Sequence, residues 1–233
     1  MAHGHVISDL HLFTPWTAAE RHVDSMIDAA RRADFFVLNG DIFDFRWTTL
    51  PSVERSVEAA ADWLADFAGR CPDCRVTFVM GNHDGLAAFA ERLDRAVREV
   101  ANLDWHPAYA RIGPALFAHG DLFLQAGVTD PLDRPLQTRI RRRPRSLSRC
   151  YHLLHTMRIH RWPAKVYTNG QCVRRFARRL DAADPRAIDG VTDVYFGHTH
   201  LPFTDVRHNG YTFHNTGSII GGLNWHMLTV DVG

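Results

Sequence analysis

Five short motifs rich in Asp, His and Asn constrain the fold of this chain most strongly, because each one follows an apolar, strand-like run. They are Asp9-Leu10-His11, Gly40-Asp41-Ile42-Phe43-Asp44, Gly81-Asn82-His83-Asp84, His119-Gly120-Asp121 and Gly197-His198-Thr199-His200. In open α/β sheets, sites form beyond the carboxyl ends of the strands. The five polar strand ends therefore predict one shared site and a sheet that brings those ends together.

The hydrophobic pattern predicts an α/β fold. Apolar strand runs at 5–8, 34–38, 75–80 and 115–118 alternate with segments of helical periodicity up to about residue 120. Such alternation is typical of a largely parallel sheet with helices packed on it. Short strands at 192–196, 202–206, 211–215 and 226–232 follow, and their turn residues predict an antiparallel meander that completes a second sheet.

An inserted segment separates these two regions. Residues 122–180 are rich in Arg, Pro and His, with helical stretches near 146–161 and 165–180. We expect a core of residues 1–121 and 181–233, with residues 122–180 forming an Arg-rich helical cap. The first half of this segment contains Arg134, Arg139, Arg141, Arg142, Arg143, Arg145 and Arg149. Two interpretations stay open: binding of an anionic head group, nucleotide or phospholipid surface, or a solvated basic loop.

Composition narrows the class of protein. The chain has 233 residues, of which 45% are hydrophobic and 23% are charged, with a net charge of +1. This balance is typical of a globular protein and argues against a nucleic-acid-binding surface. No apolar run approaches the ~20 residues of a membrane span. We therefore expect a cytoplasmic protein that is able to rest on the inner membrane. The Cys71/Cys74 pair lacks the partners of a structural zinc site and predicts an ordinary turn.

The residue types in the motifs predict a metal centre. Carboxylate, imidazole and amide groups together suit Mn²⁺, Fe or Zn²⁺ rather than Cu⁺. A glycine before a ligand lets the chain turn sharply off its strand and lets backbone approach the ligand. Each motif alone would be weak evidence, since a single His or Asp more often caps a turn or forms an ordinary hydrogen bond. The full series, in this order, favours metal chemistry.

This series resembles that of the calcineurin-like metallophosphoesterase superfamily, whose pattern is DxH, GDxxD, GNH(D/E), HG and GHxH. The resemblance spans residues 9–200. It implies two packed mixed β-sheets flanked by helices, a four-layer α/β sandwich. It also implies two divalent cations, with Mn²⁺ favoured and Fe or Zn²⁺ as alternatives.

The resemblance further implies roles for individual residues. Asp9, His11 and His200 would hold one cation, Asn82, His119 and His198 the other, and Asp41 would bridge them. His83 would face the substrate, Asp44 would orient His83, and Asn82 would also contact a phosphoryl oxygen. The two cations would acidify a water that attacks phosphorus, while His83 would supply a proton or stabilise charge.

The substrate class is less constrained. Phe45-Arg46-Trp47 replaces the Asp-Arg-Gly of the protein Ser/Thr phosphatases. The opening strand, the length and the insertion after His119 are more similar to the bacterial UDP-2,3-diacylglucosamine diphosphatase-like branch of lipid A biosynthesis. Its best-known enzymes carry Arg where this chain has His83. We expect a small phosphorylated substrate, lipid-linked in the favoured case, with peripheral membrane contact through the cap. The alternatives are a small-molecule or cyclic-nucleotide phosphodiesterase and a non-catalytic protein-binding scaffold.

Overall fold

A computed structural model describes residues 1–143 and 169–233. The strands are β1 (Ala2–Ile7), β2 (Phe35–Asn39), β3 (Arg75–Val79), β4 (Leu103–His106), β5 (Tyr109–Ile112), β6 (Ala115–Ala118), β7 (Asp193–Phe196), β8 (Phe203–His208), β9 (Tyr211–Asn215) and β10 (Leu228–Val232). The helices are α1 (Val23–Ala30), α2 (Val53–Gly69), α3 (Ala87–Glu99), α4 (Asp121–Leu124), α5 (Asn169–Leu180) and α6 (Pro185–Ile188), and a 3-10 turn (Ala19–His22) precedes α1.

The strands form two five-stranded mixed sheets. The first has the order β10-β1-β2-β3-β4, with β1 to β4 parallel and β10 antiparallel to β1. The second has the order β5-β6-β7-β9-β8, with β6, β7 and β9 parallel. The prediction of a C-terminal antiparallel meander in the second sheet therefore holds only for the β8–β9 hairpin and is otherwise wrong. Its last strand, β10, pairs with β1 in the first sheet, and β7 is parallel to β9 because β8 lies at the sheet edge.

The packing confirms the four-layer α/β sandwich. Strand side chains alternate between the two faces of a sheet, so Val6 and Val37 meet Phe117 and Tyr195 of the other sheet in an apolar layer. The opposite face of the first sheet, including Ile7 and Leu38, is covered by α1, α2 and α3. Helix α5 covers the second sheet through side chains that are almost fully buried, namely Val173, Phe176, Ala177 and Leu180.

One buried side chain joins the two sheets where the motifs begin. Asn39, the last residue of β2, donates through Nδ2 to the carbonyl oxygens of Ala118 (3.3 Å) and Tyr195 (3.0 Å). It therefore ties the carboxyl end of β2 to β6 and β7 of the other sheet. Asp41 follows Asn39 by two residues, so this bond fixes where the second motif leaves its strand.

The segment 122–180 is described in part. The helical stretch expected near 165–180 is observed as α5, whereas the stretch expected near 146–161 lies outside the described residues. Within residues 1–143 and 169–233, no helix is long and apolar enough to cross a membrane.

Candidate metal centre

All five motifs leave carboxyl ends of strands, as the sequence predicts. The first three follow the parallel strands β1, β2 and β3, and the other two follow β6 and β7. Because β1, β2, β3, β6 and β7 lie centrally in the two sheets, their ends converge on one edge of the sandwich. The predicted residues Asp9, Asp41, Asp44 and His119 are almost completely buried there.

The ligand-bearing loops adopt an unusual backbone. Among the described residues, eight other than glycine have positive φ, and five of these are predicted metal ligands: Asp9 (53°), His11 (45°), Asp41 (52°), His198 (62°) and His200 (56°). Non-glycine residues rarely occupy this left-handed region, and such strain concentrates at functional sites. The fold therefore holds these side chains in directions that an ordinary turn would not give.

Two glycines permit the close approach of the loops. A Cβ atom on Gly81 would lie 2.2 Å from Asp41 Oδ1, and one on Gly197 would lie 2.1 Å from Asp9 Oδ2. Any side chain at either position would displace a carboxylate. The glycines that precede Asn82 and His198 in their motifs are thus explained by the aspartates of neighbouring loops.

The first group of predicted ligands comprises Asp9, His11 and His200. His200 Nε2 lies 3.1 Å from Asp9 Oδ1, and His11 Nε2 lies 3.4 Å from His200 Nε2. One ligand atom from each residue falls within 4.8 Å of the others. Ligand atoms about 2.1 Å from a common cation lie ~3.0–3.4 Å from each other. The observed spacing of this group suits a divalent ion.

The second group comprises Asp41, Asn82, His119 and His198. His119 Nε2 lies 3.1 Å from Asp41 Oδ2 and 3.3 Å from Asn82 Oδ1. Asp41, His119 and His198 again offer ligand atoms within 4.8 Å of one another. Asp41 also groups in this way with His11. This carboxylate therefore lies between the two groups, where a bridging ligand is expected.

The charges of the cluster favour cations. In the described part of the chain, Asp9, Asp41 and Asp44 form ion pairs with histidines and with no Lys or Arg. Burial opposes ionisation of Asp9, but its hydrogen bonds with His11 and His200 outweigh burial and lower its pKa. The pKa of Asp41 is lowered in the same way, against burial, by the charges of His119 and His83. Both carboxylates are thus available as anionic ligands.

The histidines of the cluster differ in basicity. Burial lowers the pKa of His11, but its hydrogen bonds with Asp44 and Asp9 raise it to about 10. Burial likewise opposes protonation of His119, whereas the charge of Asp41 raises its pKa to about 9. Burial and the charge of His119 lower the pKa of His198 to about 4. Without cations, His11 and His119 therefore carry the positive charge that neutralises the aspartates.

His83 and Asp44 form a separate pair beside the ligands. His83 Nδ1 lies 2.8 Å from Asp44 Oδ2, and the His83 ring packs edge-to-face on His11 at 5.0 Å between centroids. Burial lowers the pKa of His83, but the charges of Asp41 and Asp44 outweigh it and raise the pKa. His83 also offers a ligand atom within 4.8 Å of His11 and Asp41. Nδ1 of His83 lies at ion-pairing distance from Asp44 without forming a hydrogen bond of good geometry, so the role of Asp44 in orienting His83 stays a prediction.

Several supporting residues were not assigned roles from the sequence. Asp84 is buried and accepts hydrogen bonds from the backbone N–H groups of Ile42 (2.9 Å) and Gly81 (2.6 Å), so it joins the second and third motifs. Burial and the charge of Asp41 raise the pKa of Asp84 to about 7. Its place at the end of the Gly81-Asn82-His83-Asp84 motif is the sequence feature that points to this supporting role.

The last motif is held by residues of the C-terminal region. Asn215, the last residue of β9, donates through Nδ2 to Gly197 O (2.9 Å) and Thr199 Oγ1 (3.1 Å). Ser218 Oγ donates to Asp9 O (3.0 Å), and Ser8 bonds to the carboxylate of Asp9. Because neither serine belongs to one of the five motifs, these contacts could not be predicted from the sequence.

Part of the Arg-rich insertion packs against the motif loops, and we call residues 134–143 the strap. Arg134, buried, forms a two-pronged ion pair with Asp121 (2.9 and 2.5 Å). Gln137 Nε2 donates to Asn82 O (3.1 Å), and Arg142 donates to the carbonyl oxygens of Thr48 and Pro51 (3.3 and 2.6 Å). Arg134 and Arg142 therefore hold the strap in place.

Comparison with known proteins agrees with this geometry. The chain matches the calcineurin-like phosphoesterase family over residues 5–202, and it belongs to that family. It is an enzyme of the phosphoester-hydrolase class by this membership, and its His/Asp cluster suits a pair of divalent metal ions. No curated protein matches the chain in sequence.

One solved structure shares this fold at low sequence identity, and two others are less similar. A dimetal phosphatase from Danio rerio superposes with a TM-score of 0.51 at 13% identity, over 99% of this chain and 92% of that one. An archaeal phosphodiesterase gives a TM-score of 0.47 at 10% identity, over 98% and 93% of the chains. Phosphopantetheinyl hydrolase from Mycobacterium tuberculosis gives 0.44 at 16% identity, over 93% and 89%.

Proposed function

We propose that the cluster holds two divalent cations that serve hydrolysis of a phosphate ester or diphosphate. Asp9, His11 and His200 would hold one cation, Asn82, His119 and His198 the other, and Asp41 would be shared. The observation that carries this proposal is the position of the buried Asp41 carboxylate between two groups of ligand atoms, each within 4.8 Å. When bound, such cations lower the pKa of a coordinated water and neutralise phosphoryl oxygens.

The protein's own residues would complete the reaction. His83, with its pKa raised and its ring held by Asp44 at 2.8 Å, would carry a proton at Nε2 for the leaving oxygen. The Asn82 side chain would also contact a phosphoryl oxygen, since its amide can serve cation and substrate. The backbone bonds of Asp84 would keep Asn82 and Asp41 at fixed separation. These roles require rigid loops, which the left-handed residues provide.

We further propose Mn²⁺ as the working metal, with Fe or Zn²⁺ as alternatives, because the ligands are oxygen and imidazole nitrogen atoms. The favoured substrate class is a nucleotide-linked lipid similar to UDP-2,3-diacylglucosamine. Hydrolysis of a cyclic or other small nucleotide is the second candidate. A protein-binding scaffold is disfavoured, since a scaffold needs none of these buried carboxylates. A nucleic-acid substrate is disfavoured by the net charge of +1.

The insertion would serve the substrate. We propose that residues 122–180 form a cap on the core 1–121 and 181–233, anchored by α5 on the second sheet and by Arg134 on Asp121. Contact of this cap with the inner membrane, from a cytoplasmic position, would give access to a lipid-linked substrate.

A turnover screen tests the proposed activity. Metal-free protein supplied with Mn²⁺ should hydrolyse at least one of four substrates: UDP-2,3-diacylglucosamine, a cyclic nucleotide, bis-p-nitrophenyl phosphate or p-nitrophenyl phosphate. Preference for the first would support the lipid assignment, and preference for the second would support the alternative. Lack of hydrolysis of all four with Mn²⁺, Fe²⁺ and Zn²⁺ would contradict the proposed function.

A further inference from the structure

A cavity of about 500 Å³ lies where the strap meets the second motif. Five arginines line it: Arg46, Arg139, Arg141, Arg142 and Arg143. Gln137 also borders it, and Ile140 gives it an apolar contact. The cavity is therefore strongly cationic and large enough for a phosphate group with part of its substituent.

Hydrogen bonds link the wall of this cavity to the residues around the catalytic pair. The backbone N–H of Arg46 donates to Asp44 Oδ1 (2.9 Å), the carboxylate whose other oxygen meets His83. On the opposite side, Gln137 donates to the carbonyl oxygen of Asn82, the residue before His83. The cavity wall is thus hydrogen-bonded to Asp44, which contacts His83, and to Asn82, which precedes His83 in the chain. His83 is the group that would protonate the leaving oxygen.

The strap fixes the backbone of the cavity. Gln137 N donates to Gly85 O (3.0 Å), Ala87 N donates to Gln137 O (2.9 Å), and Arg143 N donates to Arg46 O (2.8 Å). Arg134 and Arg142 are further anchors, so Arg139 and Arg141 lie on a backbone segment that is hydrogen-bonded at both ends. Such preorganisation lowers the entropy cost of binding an anion.

The arginines of the cavity lack acidic partners. Over residues 1–143 and 169–233, Arg46, Arg139 and Arg141 form no ion pair, although Arg134 nearby is fully paired with Asp121. Arg143 contacts the Trp47 ring at 6.0 Å. Arg139 and Arg141 also border a neighbouring cavity that contains Glu54, Glu58 and Glu91. Among the described residues, neither arginine forms an ion pair with these carboxylates, and Glu58 pairs with Arg55 and Arg92 instead. Clustered guanidinium groups repel one another, and a bound anion would offset that repulsion.

We propose that this cavity binds a second phosphate, carried by the leaving group of the substrate. The substrate class is then a diphosphate diester or a phosphoester whose leaving group bears another phosphate. This inference rests on the proposed function, since His83 defines the leaving-group side. It favours diphosphate cleavage over hydrolysis of simple monoesters, because a simple monoester places nothing among the arginines.

The kinetic test compares two substrates in two matched variants. UDP-glucose has a phosphate in its leaving group, whereas the leaving group of bis-p-nitrophenyl phosphate is p-nitrophenolate, which carries no phosphate. In Arg139→Gln/Arg141→Gln, we expect KM for UDP-glucose to rise about tenfold or more, since hydrogen bonds between charged groups are strong, with kcat/KM for bis-p-nitrophenyl phosphate unchanged. The control Arg32→Gln/Arg98→Gln removes the same charge from two exposed positions outside the cavity, one in the turn after α1 and one on α3, and should leave both unchanged.

Binding separates this inference from the proposed function. If UDP-glucose is not turned over, its inhibition constant against bis-p-nitrophenyl phosphate replaces KM. Calorimetric titration of inorganic pyrophosphate into metal-free protein requires no catalysis, and we expect affinity about tenfold weaker in Arg139→Gln/Arg141→Gln than in the control. Equal pyrophosphate affinity in both variants, or equal kinetic loss on both substrates, would overturn the cavity assignment even if hydrolysis is observed. Loss of hydrolysis with intact pyrophosphate binding would instead count against the proposed function.

Discussion

The metal-ligand cluster and the strap differ in how their charged side chains are buried and paired. In the cluster, buried Asp9 and Asp41 are compensated within a few ångström by histidines, on loops forced into left-handed backbone. In the strap, Arg139 and Arg141 stay exposed, and the backbone between the anchors at Arg134 and Arg142 carries them. The cluster is largely buried and its backbone is strained, whereas Arg139 and Arg141 of the strap are exposed and the strap is held by ordinary hydrogen bonds.

This difference indicates that the cluster would serve catalysis and that the strap would serve substrate binding. Charge stabilisation of a reacting phosphate requires groups fixed before substrate arrives, in a site of low dielectric. Recognition of a leaving group requires affinity, which exposed arginines on an anchored backbone can supply. Substitutions in the cluster should therefore affect kcat, while substitutions in the strap should affect KM.

The largest effect is expected for Asp41→Asn. The neutral amide removes the charge that lies between both groups of ligands, so bound metal should fall below two ions per chain. Because the cations supply several kcal/mol of transition-state stabilisation, kcat should fall ~10³-fold or more. Elemental analysis and the rate with bis-p-nitrophenyl phosphate measure both quantities.

Asp34→Asn is the matched control for that change. Asp34 is exposed and accepts a hydrogen bond from the backbone N–H of His3 at 2.7 Å, which an amide oxygen can also accept. Activity and metal content should remain those of the original chain. An active Asp41→Asn variant with two ions would show that the cluster does not depend on a shared carboxylate.

A smaller and substrate-dependent effect is expected for His83→Asn. Both ions should remain bound, because His83 is held by Asp44 rather than placed among the predicted ligands. As a proton donor it should contribute ~10²-fold or more in kcat for a diphosphate or alkyl phosphate. The loss should be much smaller with p-nitrophenolate, which departs without a proton. An equal loss with both leaving groups, or a loss of metal, would exclude the proton-donor role.

The basicity of the cluster predicts a pH dependence of metal binding. The pKa values of about 10 for His11 and about 9 for His119 mean that both are protonated at pH 7 without cations. Since a cation needs the neutral nitrogen, binding must release these protons. Affinity should therefore rise with pH, by at least ~10-fold per unit below pH 9 for one released proton. Calorimetry in two buffers of different ionisation enthalpy measures the released protons, and a value of zero would show that His11 and His119 are not ligands.

Much of this fold could be predicted from the sequence because hydrophobic periodicity reports burial directly. Strands β1, β2 and β3 were predicted since each is an apolar run that ends in a polar motif. The pairing of β10 with β1 was missed, because pairing between the two ends of the chain leaves no local signal.

The site shows the same division between local and long-range information. The series of motifs and its resemblance to a known family predicted Asp41, His119 and His198 as ligands, and the structure places these residues together. The contacts of Asp84 and Ser218 depend on backbone groups of other loops, and the ion pair of Arg134 with Asp121 depends on the path of the strap. A side chain that hydrogen-bonds to a backbone group far away in the sequence cannot be recognised from the residues next to it in the chain.

Titration of Mn²⁺ into metal-free protein, with bound ions and phosphodiesterase rate measured on the same samples, tests the central claim most directly. Two groups of ligands that share Asp41 predict two ions per chain and a rate that develops as the second ion binds. The rate should be negligible in EDTA. Full activity in EDTA, from protein in which elemental analysis finds no metal, would contradict the account of this site.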